Sequence, residues 1–326
     1  MSAGGLRVLA PALHMTVQDF GRIGAQALGI PVSGALDRET LRLANALVGN
    51  AADEAGLEIL QPAPVFEVTA PALRVALGAY GGELLIEAAG HGVVPPWHAA
   101  TLPRGARVTV AAPRGTACAY LAIGGGIAVP QVAGSRATYV RGGFGGWQGR
   151  PLVSGDHLRL RRDAPPAGPD RRLAITPIAD DGPFRVVLGP QDDHFTAEAI
   201  ETLGTAEYRV THEADRMGLR LDGPALAHRA GHDIVSDATA FGAIQVAGDG
   251  RPVLLLADRQ TTGGYPKIAA ICTADLPRAG RLRPGDRVRF APVGVAAAQS
   301  LHRWHEAAVR TMLEAMVPVG DAAPGT

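Results

Sequence analysis

The sequence predicts a mainly β protein with two domains, a few short helices and a C-terminal helix. Glycine and proline are both frequent, with 42 and 25 residues in a chain of 326. Residues that break helices at such short intervals favour many short strands. The length is sufficient for two domains that each bury a core. A polar, proline-rich segment at 162–172 is the best candidate for a linker. We therefore predict a first β-domain over residues 1–165 and a second over 173–326.

Short apolar runs bounded by turn residues predict the strands. Many are only four or five residues long, a spacing that is typical of β-barrels and sandwiches. The first half contains such runs at 6–9, 65–68, 73–77, 84–88, 107–111, 118–123 and 157–160. The second half contains them at 184–188, 208–211, 243–246, 253–256, 268–271 and 287–290.

The two halves contain similar short segments. Residues 102–110 and 152–160 resemble residues 282–290, since each has a turn on glycine that leads into an alternating strand. Residues 73–78 likewise resemble 184–189. A duplicated barrel would produce these similarities, and so would chance, because the segments are short.

Three segments have the signals of helices. Asp37 is predicted to cap a helix that continues to Val48, with Gly49 as its stop. Thr196 is predicted to cap a short helix that ends at Gly204. Near the C-terminus, apolar residues with helical spacing form a stripe that we expect to pack on the second domain, with partner binding as the alternative. The stripe consists of Ala298, Leu301, Trp304, Ala308, Met312 and Ala315.

Charge and hydropathy argue against several classes of protein. The net charge is zero and the pI is about 7.2, whereas binding to nucleic acid or to anionic membranes requires a basic surplus. No apolar stretch reaches the length of a membrane span, and the N-terminal residues do not resemble a signal peptide. We expect a cytoplasmic protein that binds neither nucleic acid nor membranes.

Cys118 and Cys272 lie in apolar surroundings and are expected to be buried small hydrophobes rather than nucleophiles.

Common cofactor and metal motifs are not matched. The glycine-rich run at 122–127 does not fit a dinucleotide loop, and no Walker A sequence is present, so any ATP would not be bound through a P-loop. His228 and His232 are four residues apart, but Gly231 between them makes a helix doubtful. A catalytic zinc site usually needs three protein ligands. We therefore expect no metal site.

The chain has a single lysine, Lys267, against thirty arginines. An arginine holds its proton and offers a planar fork, whereas a lysine is a compact point charge that suits other tasks. Polar side chains fill seven of the ten positions from 258 to 267: Asp258, Arg259, Gln260, Thr261, Thr262, Tyr265 and Lys267. Apolar strands flank this segment, so its polar groups need partners. We predict a rigid loop that faces a ligand; a solvated hairpin is the alternative.

Several motifs of this chain, taken together, resemble the allophanate hydrolase subunit 2 family, also called the biotin-dependent carboxyltransferase A/B family. The resemblance covers nearly the whole chain. The most specific segment is QTTGGYPKI at 260–268, followed by LRPGD at 282–286. Others are VQDFGR (17–22), PVSGALD (31–37), ANALVGN (44–50), GSRAT (134–138), DRMG (215–218) and GAIQ (242–245). Ala137 departs from the family pattern, which commonly has a second serine there, and this weakens a catalytic role for the Ser135 loop.

The resemblance implies cyclophilin-like β-barrels and a partner, which is the family's subunit 1 or its B-type homologue. It leaves three functions open. The first is the C subunit of an ATP-dependent 5-oxoprolinase, which converts 5-oxo-L-proline to glutamate together with a B subunit and an ATP-using A subunit. The second is carboxyl transfer from carboxybiotin to urea or a similar amide. The third is a KipA-like regulator that counters an inhibitor of a kinase. No cofactor is expected to bind this chain directly, since Val317 stands where a biotin acceptor needs lysine; carboxybiotin would arrive on another protein.

The resemblance and the residue chemistry together suggest roles in a pocket for a lactam or another small amide. Lys267 would pair with a substrate carboxylate or stabilise an oxyanion, Tyr265 and Gln260 would bind the amide, and Asp258 would act as a base or orient Lys267. Further substrate-binding candidates in the same region are Thr261, Thr262, Arg216 and Asp215. Candidates in the first half, which would lie at an interface with the partner, are Ser33, Asp37, Asp19 and Arg22. For Ser33 the alternative is a turn before the helix that Asp37 caps.

Overall fold

The computed structural model describes residues 4–60, 63–90, 92–111, 115–162, 168–229 and 231–320. Residues 163–167 of the predicted linker lie outside the described residues. The chain divides into two compact units, one comprising Met1–Arg22, Ser33–Ala179 and Val309–Thr326, the other Ile23–Val32 and Asp180–Ala308. The boundaries differ from those of the predicted domains because one short segment of the first half belongs to the second unit and the C-terminal end belongs to the first.

Most of the regular structure is β. In chain order the strands are β1 (Gly5–Ala10), β2 (His14–Gln18), β3 (Gly56–Leu60), β4 (Val65–Val68), β5 (Ala72–Gly78), β6 (Glu83–Glu87), β7 (Val93–Val94), β8 (Ala99–Pro103), β9 (Arg107–Ala111), β10 (Cys118–Ile123), β11 (His157–Arg159), β12 (Arg171–Leu173), β13 (Phe184–Leu188), β14 (Glu207–Ala214), β15 (Gly218–Asp222), β16 (Asp237–Ala238), β17 (Ala243–Val246), β18 (Pro252–Leu255), β19 (Thr262–Gly263), β20 (Lys267–Ile271), β21 (Arg287–Pro292) and β22 (Met316–Pro318).

The helices are few. They are α1 (Arg38–Leu47), α2 (Ala197–Thr205), α3 (Leu276–Ala279) and α4 (Val295–Glu314), with short 3-10 helices at Gln26–Leu28, Asp192–His194 and Thr273–Asp275. The described helices do not combine the length and the hydropathy that a membrane span requires.

The first unit contains two main sheets. One has the order β11-β1-β4-β9-β6-β7 and the other β2-β3-β10-β5-β8. Alternate residues of both sheets, among them Leu6, Phe66, Val108, Leu57 and Leu121, are fully buried in one hydrophobic cluster. The core therefore lies between the sheets, as in a sandwich. The predicted barrel of this half is thus replaced, within the described residues, by two sheets with open edges.

The helix that Asp37 caps follows the prediction closely. The Asp37 carboxylate accepts from the Thr40 amide at 2.9 Å, and α1 ends before Gly49, which has φ +76°. Residues Leu43 and Leu47 of α1 pack in a second cluster that includes Trp97 and Val309.

The C-terminal helix does not pack as expected. Trp304 of the predicted apolar stripe is 83% exposed, and Val309 is the buried residue of α4. Val309 belongs to the first unit, where it packs with Leu43 and Leu47. The helical spacing correctly predicts a helix, but the stripe does not identify the face that is buried.

A closed barrel forms the second unit. Among the described residues it has the strand order β13-β20-β17-β18-β15-β14-β21, closed by the parallel pair β13 and β21 while its other neighbours are antiparallel. Side chains such as Val186, Leu221, Ile244, Leu254 and Phe290 are almost fully buried. The mainly β class with a closed barrel is thereby confirmed.

The repeated segments form the same local structure. Gly105, Gly155 and Gly285 all have positive φ, at +84°, +91° and +93°. Each donates its backbone N–H over 2.8 Å to a carbonyl of a neighbouring strand, on Val68, Val8 and Val210 respectively. The similarity between the halves therefore reflects one recurring glycine turn that starts β9, β11 and β21.

Two irregular features of the barrel position the candidate site. The pairing of β17 with β20 shifts register between Ile244 and Gln245, so that Ile244 faces Ala269 and Gln245 faces Lys267. Outside the barrel, β16 and β19 form a short ribbon in which Asp237 pairs with Gly263. A register shift of this kind re-aims a side chain within a sheet, and here it brings Gln245 next to the predicted loop.

Candidate functional site

Lys267 begins β20 and its side chain is only 3% exposed. Its Nζ lies 3.1 Å from Oδ2 of Asp237, whose side chain is 48% exposed. The ammonium has no aligned hydrogen-bond acceptor among the described residues, so this contact is an ion pair with incomplete hydrogen bonding. A buried charged donor with unused capacity is costly unless a ligand or partner completes it. This observation favours the ligand-facing interpretation of the loop.

Gln191 connects the two members of this ion pair. Its Oε1 accepts from the Lys267 backbone N–H at 3.1 Å, and its Nε2 donates to Oδ2 of Asp237 at 3.1 Å. The pKa of Asp237 lies below its usual 3.8, first because of the Lys267 ammonium and then because of the Ala238 backbone amide and Gln191. The carboxylate therefore stays charged beside Lys267 throughout the neutral range.

Two glutamines and a tyrosine form a hydrogen-bonded chain next to this ion pair. Gln260 donates through Nε2 to Oε1 of Gln245 at 3.1 Å, and Gln245 donates through Nε2 to the carbonyl of Tyr265 at 3.2 Å. Gln245 is buried, whereas Tyr265 is 44% exposed. Tyr265 takes part through its backbone carbonyl, so the chain links the two side-chain amides to the backbone of the loop.

These three residues line a pocket of about 320 Å³. Its apolar lining is Met217, Ala247, Val253 and Leu255, and its charged lining is Glu213, Asp215 and Arg220. Lys267 and Asp237 are not among the lining residues. The structure therefore gathers Tyr265, Gln260 and Asp215 of the predicted site in one pocket, and Lys267 stands directly opposite the pocket residue Gln245 in the β17–β20 pairing.

Asp258 and Arg216 form a buried ion pair. Arg216 Nε lies 2.9 Å from Oδ2 of Asp258 and Nη2 lies 3.1 Å from Oδ1, with both side chains less than a tenth exposed. Both carboxylate oxygens thus face the same guanidinium, which is the geometry of a strong structural pair. The catalytic role of Asp258 and the substrate-binding role of Arg216 stay predictions.

The backbone of the loop is held by Thr239. Its hydroxyl donates to the Gln260 carbonyl, and its N–H donates to the Thr261 carbonyl at 3.1 Å. The carbonyl of Thr239 in turn accepts from the side chains of Arg259 and Gln26, each at 3.3 Å. Of the two predicted threonines, Thr261 is half-buried and Thr262 is exposed on β19. The loop is therefore rigid, as the proline and the flanking strands predict.

Asp215 turns the chain between β14 and β15. Its Oδ1 accepts from the N–H groups of Met217 and Gly218, at 2.7 and 3.2 Å. An aspartate that bonds its own backbone in this way stabilises a turn. Asp215 also lines the pocket, so its structural role and its predicted substrate-binding role are compatible.

The candidates of the first half lie in the first unit and are largely held by local bonds. Asp19 accepts from the Ser135 hydroxyl at 2.6 Å, from the Gly21 N–H at 2.7 Å and from the Arg136 N–H at 2.5 Å. Arg22 is fully buried, donates to the Ala137 carbonyl and lies 5.0 Å from the centre of the Phe144 ring. These contacts stabilise the loops of the unit and leave the predicted binding roles untested.

Ser33 and Asp37 differ in how well their polar atoms are satisfied. Ser33 is fully buried with φ +54°, and its hydroxyl has no hydrogen-bond partner among the described residues. Asp37 accepts from the N–H and the hydroxyl of Thr40, at 2.9 and 2.6 Å, and its own N–H donates to the Tyr120 hydroxyl at 2.9 Å. Asp37 is therefore primarily a helix cap, the role that its position before the predicted helix indicates.

This capping role can be tested by stability. We expect Asp37→Ala to lower the free energy of unfolding by about 1–2 kcal/mol, because it removes the cap of α1. Urea denaturation followed by circular dichroism measures the change. Asp53→Ala, at an exposed aspartate in a turn, is the matched control and should change stability by less than about 0.5 kcal/mol. Equal stability of the two variants would show that the cap contributes nothing.

Three residues of the site are not predicted from the sequence: Gln245, Gln191 and Asp237. Gln245 stands inside an apolar strand in the segment GAIQ, and a glutamine in a buried strand is itself a signal, because its amide must find partners. Gln191 follows a Gly-Pro turn, and Asp237 lies in a polar stretch that contains other acids. Neither has a local pattern that separates it from ordinary loop residues.

Comparison with known proteins places this fold and this loop in a family. The profile described as "Carboxyltransferase domain, subdomain A and B" matches residues 28–292. The chain belongs to this carboxyltransferase A/B family. The matched region contains Ser33, Asp37 and the whole segment around Lys267, whereas Asp19 and Arg22 precede it. The family resemblance drawn from the motifs is thereby confirmed.

Relatives in the carboxyltransferase A/B family are subunits or domains of enzymes. The C subunit of the 5-oxoprolinase of Escherichia coli K12 is 33% identical over 293 residues, which cover 87% of this chain and 90% of the relative. The urea amidolyase of Lachancea kluyveri is 30% identical, and the match covers 94% of this chain but 18% of that protein. Among solved structures, the urea amidolyase of K. lactis superposes with a TM-score of 0.87 at 27% identity, covering 96% of this chain and 20% of the other.

Proposed function

We propose that this protein is the C-type subunit of an ATP-dependent 5-oxoprolinase and acts with A-type and B-type partners on 5-oxo-L-proline. The observation that carries the proposal is the composition of the pocket. The apolar residues Met217, Val253 and Leu255 line it together with Gln260, which carries an amide, and Tyr265, which carries a phenol. Such a lining suits a small ring that carries one amide.

A lactam needs both parts of this lining. Its ring methylenes gain from contact with apolar side chains, and its amide needs one acceptor for the N–H and one donor for the carbonyl. Gln260 and Tyr265 can supply these. Urea, by contrast, has no hydrocarbon to place against Met217 or Leu255. The near-full-length similarity to the 5-oxoprolinase C subunit of E. coli supports the same choice.

The charged residues would act on the reacting group. As a nucleophile attacks the carbonyl carbon of the lactam, negative charge develops on its oxygen, and a preorganised cation nearby lowers the energy of that state. Lys267 is a buried cation that stands opposite the pocket residue Gln245 in the β17–β20 pairing, and Asp237 with Gln191 holds it in place. In this proposal, Arg220 at the pocket binds the substrate carboxylate. The substrate would compete there with two carboxylates of the protein, because Nε of Arg220 lies 3.1 Å from Oε2 of Glu213 and Nη1 lies 2.7 Å from Oδ2 of Asp249.

ATP would be used on another protein of the complex in this scheme. The chain has no phosphate-binding loop of the Walker type, and the pocket carries two carboxylates, which would repel a polyphosphate. ATP supplies the free energy that opens the otherwise stable lactam. The contribution of this chain is to bind the lactam and to stabilise the charge on its oxygen.

The assay is direct. The chain is co-purified with its A-type and B-type partners, and glutamate and ADP are measured after addition of 5-oxoproline and ATP. Formation of both products in a ratio of one to one, dependent on this chain, is the expected result. Absence of glutamate with all partners present and folded would refute the proposal.

Carboxyl transfer is the second candidate, favoured by the structural similarity to urea amidolyase over 96% of this chain. Carboxybiotin, which would supply an activated carboxylate, would arrive on a partner protein. Here Gln260 and Tyr265 would bind the acceptor amide and Lys267 would offset its developing charge. Incorporation of labelled bicarbonate into urea, with a biotin carboxylase and carrier present and without dependence on 5-oxoproline, would favour this candidate over the first.

A further inference from the structure

Gln245 is the buried centre of the hydrogen-bonded chain of amides and lines the pocket. It is 3% exposed and lies on β17 at the register shift that places it opposite Lys267. Both ends of its amide are engaged, with Gln260 on one side and the backbone of Tyr265 on the other. A buried amide whose two ends are both bonded cannot rotate without breaking both bonds.

The direction of each hydrogen bond follows from chemistry. A backbone carbonyl can only accept, so the Gln245 atom 3.2 Å from the Tyr265 carbonyl oxygen is the Nε2 donor. The opposite atom of Gln245 is then Oε1, which can only accept, so Gln260 must present its own Nε2 to it at 3.1 Å. The Oε1 of Gln260 is thereby directed away from Gln245 as an acceptor, and no described residue donates to it.

The surroundings prevent this arrangement from relaxing. A Cβ atom added at Gly263 would lie 2.5 Å from Nε2 of Gln245 and 3.3 Å from Nε2 of Gln260, so only glycine leaves room for both amides. Thr239 holds the Gln260 backbone through the Gln260 and Thr261 carbonyls. The backbone and side chain of Gln260 are therefore fixed before any substrate binds.

We infer that Gln245 is a positioning residue that fixes the Gln260 amide with Oε1 toward the substrate, and that the site consequently selects substrates with an unsubstituted amide N–H. The inference deepens the proposed function and rests on it for the choice of a lactam. A site that is built to accept an N–H discriminates against an analogue that lacks it, because the acceptor is then left without a partner.

Binding to the full-length chain tests the inference. Titration calorimetry compares 5-oxoproline with N-methyl-5-oxoproline, and 4-methyl-5-oxoproline controls for the volume of the added methyl group. We expect the wild-type protein to prefer the N–H lactam over the N-methyl lactam by about tenfold or more, which corresponds to about 1.4 kcal/mol for one unsatisfied acceptor. The 4-methyl compound should retain most of the affinity.

Gln245→Leu keeps a side chain of similar size but removes both hydrogen bonds. The Gln260 amide is then free to rotate and to present either atom, so the ratio of the affinities for the N–H and N-methyl lactams should fall toward one. The kcat/KM of the assembled complex should fall mainly because KM rises.

Gln245→Glu adds a signature that a purely structural role would not produce. Both the ionised and the protonated carboxyl present an oxygen that accepts from Nε2 of Gln260, so Gln245→Glu, unlike Gln245→Leu, should keep the N–H preference. Gln299→Glu, on an exposed position of α4, is the matched control and should also keep the wild-type preference.

Each outcome decides the question. Equal affinity of the wild-type protein for N–H and N-methyl lactams, or an unchanged preference in Gln245→Leu that is folded by circular dichroism, overturns the inference. If the assembled complex makes no glutamate but the N–H preference remains, the proposed function fails and the inference stands. In that case the titration is repeated with urea and N,N′-dimethylurea, to measure the N–H preference on an amide that is not a lactam. Absence of measurable binding of every N–H compound also overturns the inference.

Discussion

Replacing Asp258 by alanine should destabilise the second unit by about 3–5 kcal/mol. The variant leaves the Arg216 guanidinium buried without its bidentate partner, at a position where the two side chains are 6% and 8% exposed. Removing one member of a buried pair costs far more than the pair itself contributes, because the remaining charge is desolvated without compensation. Urea unfolding followed by fluorescence and circular dichroism measures the loss.

The control is an exposed pair of the same barrel. Arg220 and Asp249 lie 2.7 Å apart, but their side chains are 33% and 44% exposed. We expect Asp249→Ala to cost less than about 1 kcal/mol, since exposed ion pairs contribute little. The contrast between the two variants separates the effect of burial from the loss of a carboxylate.

A double variant tests the physical cause. Arg216→Met with Asp258→Leu removes both charges, and we expect it to recover most of the stability lost in Asp258→Ala. If Asp258→Ala is instead as stable as the wild-type protein while the assembled complex loses turnover, the carboxylate is a catalytic group and not a structural one.

Local patterns predict many of the elements well because short-range physics determines them. The Asp37 cap, the run at 118–123 and the run at 184–188 are identified from side-chain chemistry and alternation that the fold preserves. Strand β3 is not predicted, since Glu58 interrupts its apolar run. That carboxylate is buried because the Tyr120 hydroxyl and the Leu36 N–H both donate to it, at 2.6 and 2.9 Å. Partners from distant parts of the chain cannot be inferred from a strand pattern.

The same limit applies to the site. The dense polar segment is visible as a local feature, and its polar side chains, glycines and single lysine all lie within ten residues. Its partners do not: Asp237 and Gln191 are 30 and 76 positions from Lys267, and Arg216 is 42 positions from Asp258. The sequence can therefore identify the residues of the loop as candidates. Which of them face the pocket and which form pairs beneath it depends on how the barrel closes.

The largest effect on activity is expected at Lys267. In the assembled complex, Lys267→Met should lower kcat/KM for 5-oxoproline by about 100-fold or more, which is typical when one preorganised group that stabilises an oxyanion is removed. The fall should be mainly in kcat, because the charge it offsets develops in the reaction and is absent from the bound lactam. Steady-state kinetics with stability measured in parallel distinguishes this from unfolding.

Lys267→Arg is the sharper test, because it keeps the charge. The lysine is 3% exposed and its ammonium lies 3.1 Å from Asp237, so a longer planar guanidinium would have to move the loop or turn away from it. A displacement of about 1 Å in a catalytic group can cost about 100-fold. We therefore expect Lys267→Arg to retain stability within about 1–2 kcal/mol but to be nearly as inactive as Lys267→Met. Full activity of Lys267→Arg would mean that any cation serves at this position, and the geometry set by Asp237 and Gln191 would then have no catalytic consequence.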